Sequence, residues 1–297
     1  MLFYCLLALL LSNSTLRAQT MMDVSMMAKE FAKAEDLMNS FNNDSANIIL
    51  TLLIDELSKR KELESSFGLK VQLRQAEALE KDNQDEIAIE RLLYIVEASK
   101  KRKEWGVCAD AYLSLARLHE KINRWDNCLT HLRNAELVIN QNKVDSIYPR
   151  FSIRMSSYHR IHGQVDSAIY YAKEVLRTAP NFNQDVHSAT GNLLLGMLLS
   201  RSSYKEAIQY YQAAGQYWKS VGDYHGYEAI LENLSRLNLR NNQPRLALIY
   251  NDSALIVAKK AKEVGIDNQR MLAFAYINRG NILKAVSYTH LTLPTKA

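Results

Sequence analysis

Small residues recur along this chain at a spacing of about forty, and that recurrence limits it to one kind of architecture. Ala46, Ala88, Cys128, Ala168, Ala207 and Ala247 follow one another at spacings of 42, 40, 40, 39 and 40 residues. A second small series, Ala34, Ala76, Ala116, Ser156 and Ser235, stands twelve residues ahead of its partner, and Gly196 stands eleven ahead of Ala207. Antiparallel helices joined by a short turn approach closely only where facing positions carry little side chain. A fixed period pairing such positions implies a stacked array of helical hairpins. The hairpin from Ser152 to Pro180, with its turn at Gly163, is the clearest copy.

Other positions keep the same period. Asn83, Asn123, Gly163, Ser202 and Asn242 lie five residues before each anchor, where the turn falls. Asn and Gly accept the left-handed conformation that ends a helix. Trp125, Val165 and Tyr204 open the second helices, and Asp126, Asp166 and Glu206 place a carboxylate in the first turn, where it complements the helix dipole. With only 10 Gly and 4 Pro among 297 residues, nothing breaks the helical stretches between these turns. The predicted fold is all-α: a right-handed superhelical solenoid of antiparallel helix pairs.

The unit Tyr112–Glu136, with Leu115, Ala116, His119, Cys128, Leu132 and Ala135 at its packing positions, resembles the tetratricopeptide repeat, and Pro180 stands at that family's helix-breaking position. The resemblance covers residues 25 to 284 and departs in period, since family units have about 34 residues. The extra residues are expected in longer second helices and in connections such as NKVDSIYP and NFNQD. Residues 19–284 read as six units plus the first helix of a seventh, with Tyr276 and Gly280 at its large and small positions. Packing is assigned to Ala76, Ala88, Ala116, Cys128, Ser156, Ala168, Gly196, Ala207, Ser235, Ala247 and Gly280.

Both ends differ from the array. Leu2–Leu11 is an unbroken apolar run followed by SNST and then Leu16-Arg17-Ala18, which reads as a signal peptide over 1–18 with cleavage after Ala18. A buried N-terminal helix is the other reading, and no Lys or Arg precedes the run. At the far end the helical pattern stops near Val286. VSYTHLTLPTKA resembles a translated sequencing adapter, so 285–297 is expected to be a non-native tail on a truncated gene; a genuine disordered C-terminus is the alternative. An export signal followed by a long-period array resembles the sensor half of Bacteroidota membrane-bound regulators. The resemblance implies a membrane helix and a histidine kinase or helix-turn-helix output beyond this sequence. It also implies a periplasmic location, with anchoring through those parts.

Chemistry-bearing motifs are sparse. The chain has no phosphate-binding glycine loop, HExxH, CxxC or GxSxG, and no cofactor is expected. Cys108 and Cys128 read as small buried hydrophobes rather than a disulfide. His119, His159 and His162, with Asp166 nearby, are candidates for a metal site, but the same histidines fit as packing aromatics. Lys100–Lys103 and Lys259, Lys260 and Lys262 sit where second helices end and complement the dipole there, which argues against nucleic acid as the partner.

The remaining candidate is a groove. First helices line the concave face of such solenoids. Positions one, four and five after the small residue place Arg117, Lys121, Arg160, Arg201, Arg236 and Arg240 there, over a floor of Leu113, Ile153 and Leu193. Guanidinium over apolar surface suits an acidic, partly hydrophobic peptide; an ordinary solvated face uses the same residues. The expected function is protein or peptide binding, without catalysis, as the sensory or docking part of a signalling protein. A free periplasmic assembly scaffold is the alternative, and a histidine-based metalloenzyme a third.

Overall fold

A computed structural model describes residues 22–39, 43–266 and 268–291. The expected signal peptide over 1–18 and the last six residues lie outside the described residues. Among the described residues the chain forms thirteen α-helices and no strand.

The helices pair in sequence order. Unit one is α1 (Val24–Asn39) and α2 (Asn43–Lys59), and unit two is α3 (Ser66–Lys81) and α4 (Asp85–Arg102). Unit three is α5 (Trp105–Lys121) and α6 (Trp125–Asn142), and unit four is α7 (Tyr148–Ile161) and α8 (Val165–Thr178). Unit five is α9 (Asp185–Leu199) and α10 (Tyr204–Ser220), and unit six is α11 (Tyr224–Arg240) and α12 (Pro244–Glu263). α13 (Gln269–Leu291) opens a seventh. The extra length per unit sits partly in short 3-10 turns, Asp145–Ile147 before α7 and Ala179–Phe182 after α8.

The turns follow the predicted chemistry with one difference. Asn83, Asn123, Gly163 and Asn242 adopt positive φ between the helices of a pair, and Ser202 does not. Unit five is the copy in which the small residues stand eleven apart rather than twelve; its first helix ends sooner, at Leu199, and its turn over 200–203 takes no left-handed step. A second left-handed series at Lys61, Lys103, Lys143, Asn183, Gly222 and Gly265 joins one unit to the next.

The small positions lie where helices cross. Ala34, Ala76, Ser156 and Ser235, and every anchor from Ala46 to Ala247, are 0–1% exposed. At the two serine positions the contact is also polar: Ser156 Oγ donates to the Ala168 carbonyl at 2.9 Å and Ser235 Oγ to the Ala247 carbonyl at 2.8 Å. Around them Leu92, Ile95, Leu115, Leu118 and Leu132 fill the central core. Each such side chain contributes about 1.5–3 kcal/mol by leaving water. Cys108 and Cys128 are buried and free.

The expected stop near Val286 is not where the helix ends, because α13 continues to Leu291. Val, Thr and Tyr cost a helix only tenths of a kcal/mol each and do not terminate it. No helix among the described residues is long and apolar enough to cross a membrane.

Candidate functional site

First helices of five successive units converge on one cleft of about 650 Å³, lined by Glu35 and Asp36 of α1, Arg74, Glu77 and Lys81 of α3, Asp110 and Arg117 of α5, Arg150 of α7 and His187 of α9. Its residues recur at positions −6, −2, +1 and +5 from the small residue, a spacing that keeps them on one helix stripe. Asp110 and Arg150 are −6, Arg74 is −2, Glu77 and Arg117 are +1, and Lys81 is +5.

These side chains form a ladder of ion pairs across units. Arg74 bonds Glu35 of unit one at 2.9 Å and Glu77 of its own helix at 2.8 Å. Arg150 of unit four reaches Glu77 of unit two at 2.5 Å and Asp110 of unit three at 3.0 Å. Ser114, a small residue at the intervening −2 position, leaves room for that reach and bonds Glu77 at 3.1 Å. Burial by itself would raise the Glu77 carboxyl, but Arg150, Arg74 and Arg117 override it and hold it well below the usual carboxylate range. Burial raises Asp110, and burial with the Arg150 charge pushes His187 down to about 4, so its ring is neutral at pH 7.

Beside the ladder the wall turns apolar. A second cleft of about 600 Å³ shares Asp36, Met38, Lys81 and Val186 with the first and adds Tyr217, Trp218, Val221, Tyr224 and Ile266. The superhelix thus brings α1 opposite the junction of α10 and α11. Trp218 lies against Gly226, where a Cβ would come within 2.7 Å of the indole.

The predicted groove residues fall in several places. Arg117 lines the main cleft but pairs with Glu80 at 2.6 Å. Lys121 donates to the Glu80 carbonyl at 2.9 Å and pairs with Asp85 at 2.7 Å, and Lys81 donates to the Met38 carbonyl in the equivalent place. This +5 lysine satisfies a helix-end carbonyl of the preceding unit. Arg236 and Arg240 line a separate cleft of about 410 Å³ with Met197, Tyr211 and Asn281. Arg160 and Arg201 are exposed and line none of these clefts. The predicted floor is a correction: Leu113 and Ile153 are 1% and 6% exposed within the core, and Leu193 is half-buried against it. The −3 row packs on neighbouring helices instead of facing the groove.

The candidate metal ligands are likewise apart. His119 stacks on His131 at 5.1 Å, His159 on Tyr171 at 5.4 Å, and His162 on Tyr158 at 4.1 Å. No three His, Cys, Asp or Glu side chains converge among the described residues.

No protein-family model and no curated protein matches this sequence. Solved structures do resemble it in fold. The Rap conjugation gene regulator of the plasmid pLS20, in complex with a Phr peptide, gives a TM-score of 0.60 at 15% identity, covering 86% of this chain and 74% of its own. The apo form of RapI gives 0.60 at 16% identity, covering 85% and 90%. A signal-transduction ATPase of Pyrococcus horikoshii with a tetratricopeptide-repeat sensor gives 0.56 at 15%, covering 89% of this chain and 45% of its own. The chain is a solenoid of the tetratricopeptide-repeat type.

Proposed function

We propose that this chain is a binding scaffold that takes an extended segment of a partner protein or peptide along its concave clefts. The carrying observation is the junction of the two larger clefts: a charge-paired wall and an aromatic pocket meet at Asp36, Met38, Lys81 and Val186. A peptide lying there sets its polar backbone against the ladder and one apolar side chain against Trp218, Val221 and Tyr224. Acidic residues of the same partner are met by Arg236 and Arg240 in the third cleft, since the guanidiniums of the ladder already have carboxylates of their own. The peptide held by the pLS20 regulator supports the reading by analogy of fold. Selection of binders from a displayed random-peptide library on the full chain tests it. Enrichment that Val221→Glu abolishes supports it, and no enrichment opposes it.

The same reading places the array outside the cytoplasm, as the sensory or docking part of a signalling protein. The apolar run before Ala18 supports this. Fusing the first twenty residues to alkaline phosphatase tests the location: activity from the periplasm is expected, and an inactive cytoplasmic fusion contradicts it.

A further inference from the structure

One cleft departs from the others in charge. The ladder matches Arg74, Arg117 and Arg150 to carboxylates. The apolar cleft beside it still carries Asp36 and Asp223 in its wall. The third cleft, between α9, α10, α11 and α13, holds Arg236 and Arg240 and no Asp or Glu. The two guanidiniums stand one turn apart on α11, so they face the same way. Among the described residues the Arg240 side chain makes no hydrogen bond or ion pair, and Arg236 spends one N–H on Asn233 at 2.7 Å. Glu228 and Glu232 of the same helix are buried outside this wall, and Glu232 accepts from Asn251 at 3.1 Å and Asn278 at 2.6 Å rather than from a guanidinium.

A tyrosine is built into the same wall. The position four after the anchor holds Leu50, Leu92, Leu132 and Ala172 in the first four units, all in the core. In unit five it holds Tyr211, which is 1% exposed. The facing small residue is Gly196, and a Cβ there would come within 2.6 Å of the ring. Glycine thus admits a side chain that leucine or alanine replaces elsewhere, and Tyr211 reaches the cleft. Burial pushes its hydroxyl up to about 12, against the lowering charges of Arg240 and Arg236, so a neutral O–H stands in the field of both. Among the described residues that hydroxyl has no hydrogen-bond partner, and neither has the amide of Asn281 in the same wall.

We propose that this cleft binds the phosphate monoester of a phosphorylated serine or threonine in the partner segment. The proposal rests on the reading above only for what carries the phosphate. A phosphate dianion balances both guanidiniums, whereas a carboxylate balances one. Its three terminal oxygens match the two guanidiniums and the Tyr211 hydroxyl, with Asn281 as a further donor. Met197 and Leu239 in the wall give the ester carbon an apolar surface.

Titrating the full chain with an acetylated, amidated pentapeptide of alanine carrying a central phosphoserine tests it, read by NMR of the arginine Nε–H groups. Saturable shifts of Arg236 and Arg240 are expected, with a Kd of about 0.1–1 mM. The same peptide with central aspartate, and inorganic phosphate alone, should each bind at least about fivefold more weakly. Arg240→Gln and Tyr211→Phe should each weaken the phosphopeptide at least about threefold with the circular dichroism unchanged, and Arg160→Gln should leave it unaltered. No saturable shift up to about 5 mM overturns the proposal. So does an aspartate peptide that binds as tightly, inorganic phosphate that binds as tightly, or a phosphopeptide that ignores both variants. Alanine flanks offer nothing to the aromatic pocket. A chain that binds the phosphopeptide yet selects no library peptide therefore fails the reading above and keeps this one, and the reverse result does the opposite.

Discussion

Arg150 bonds Glu77 at 2.5 Å, although the two stand 73 residues and two repeat units apart. A solenoid is ordinarily a sum of nearest-neighbour contacts. This pair ties unit four to unit two past unit three, and with Arg74 and Glu35 it fixes the curvature of the wall on which the proposed site rests.

Removing one partner leaves buried charge behind. Glu77→Ala leaves Arg150 with Asp110 alone and Arg74 with Glu35 alone, and should destabilise the chain by up to about 3–5 kcal/mol. Arg150→Ala should cost a comparable amount by taking the ion-pair partner of Asp110 and leaving Glu77 with Arg74. In a double-mutant cycle by urea unfolding, the two changes should couple by about 1–3 kcal/mol. Additivity within error would mean that the pair does not join the units.

The hydroxyl of Ser156 should be worth less than its size. Ser156→Ala loses one buried hydrogen bond to Ala168 and should cost about 1 kcal/mol. Ser156→Leu forces α7 away from α8 and should cost at least about 3 kcal/mol, since overpacking adds to the lost bond. Thermal melts rank the two, and equal costs would remove close approach as the reason for the small residue.

Two glycines in equivalent positions should respond oppositely to the same change. Gly196→Ala drives a Cβ into the Tyr211 ring and should destabilise by about 1–3 kcal/mol. Gly280→Ala meets no neighbour and gains helix propensity, so it should stabilise by up to about 1 kcal/mol. Melting temperatures measured at low concentration check the signs.

One acid should make stability fall as pH rises. Glu228 is 6% exposed, and burial followed by the Glu232 charge pushes its carboxyl up to about 7, against the opposing Arg236. The folded chain holds that proton up to about pH 7, whereas the unfolded chain releases it near 4.5. Stability is therefore lost between those values on going alkaline. Glu228→Gln should match wild type at pH 4 and exceed it at pH 8 by about 1–3 kcal/mol, less than the full shift because the site is partly screened. A variant no more stable than wild type at pH 8 would refute the assignment.

Much of the frame could be read from single residues. The small rows mark the helix crossings, Asn83, Asn123, Gly163 and Asn242 mark the inner turns, and the shorter spacing at Gly196 and Ala207 foreshadows the turn without a left-handed residue. Three of the outer turns were hidden because Lys61, Lys103 and Lys143 carry no preference for that conformation, unlike Asn183, Gly222 and Gly265 in the others. The groove was half legible. Of its +1 and +5 rows, Arg117 lines the main cleft and Arg236 and Arg240 a separate one, whereas Arg201 lines none; extending the rows back one and two turns reaches Ser114 and Asp110 on α5 and Arg154 and Arg150 on α7. What periodicity could not supply is how far each unit rotates on the last. That rotation brings Glu77 within reach of Arg150 and sends Leu113 into the core.

The most direct test of the central claim is calorimetric titration of a library-selected peptide into the full chain and its variants. Trp218→Ala and Val221→Glu should each weaken binding at least about tenfold, while Arg160→Glu, outside the clefts, should change it less than about twofold. Selected peptides that bind all four proteins equally would contradict a site in the concave clefts.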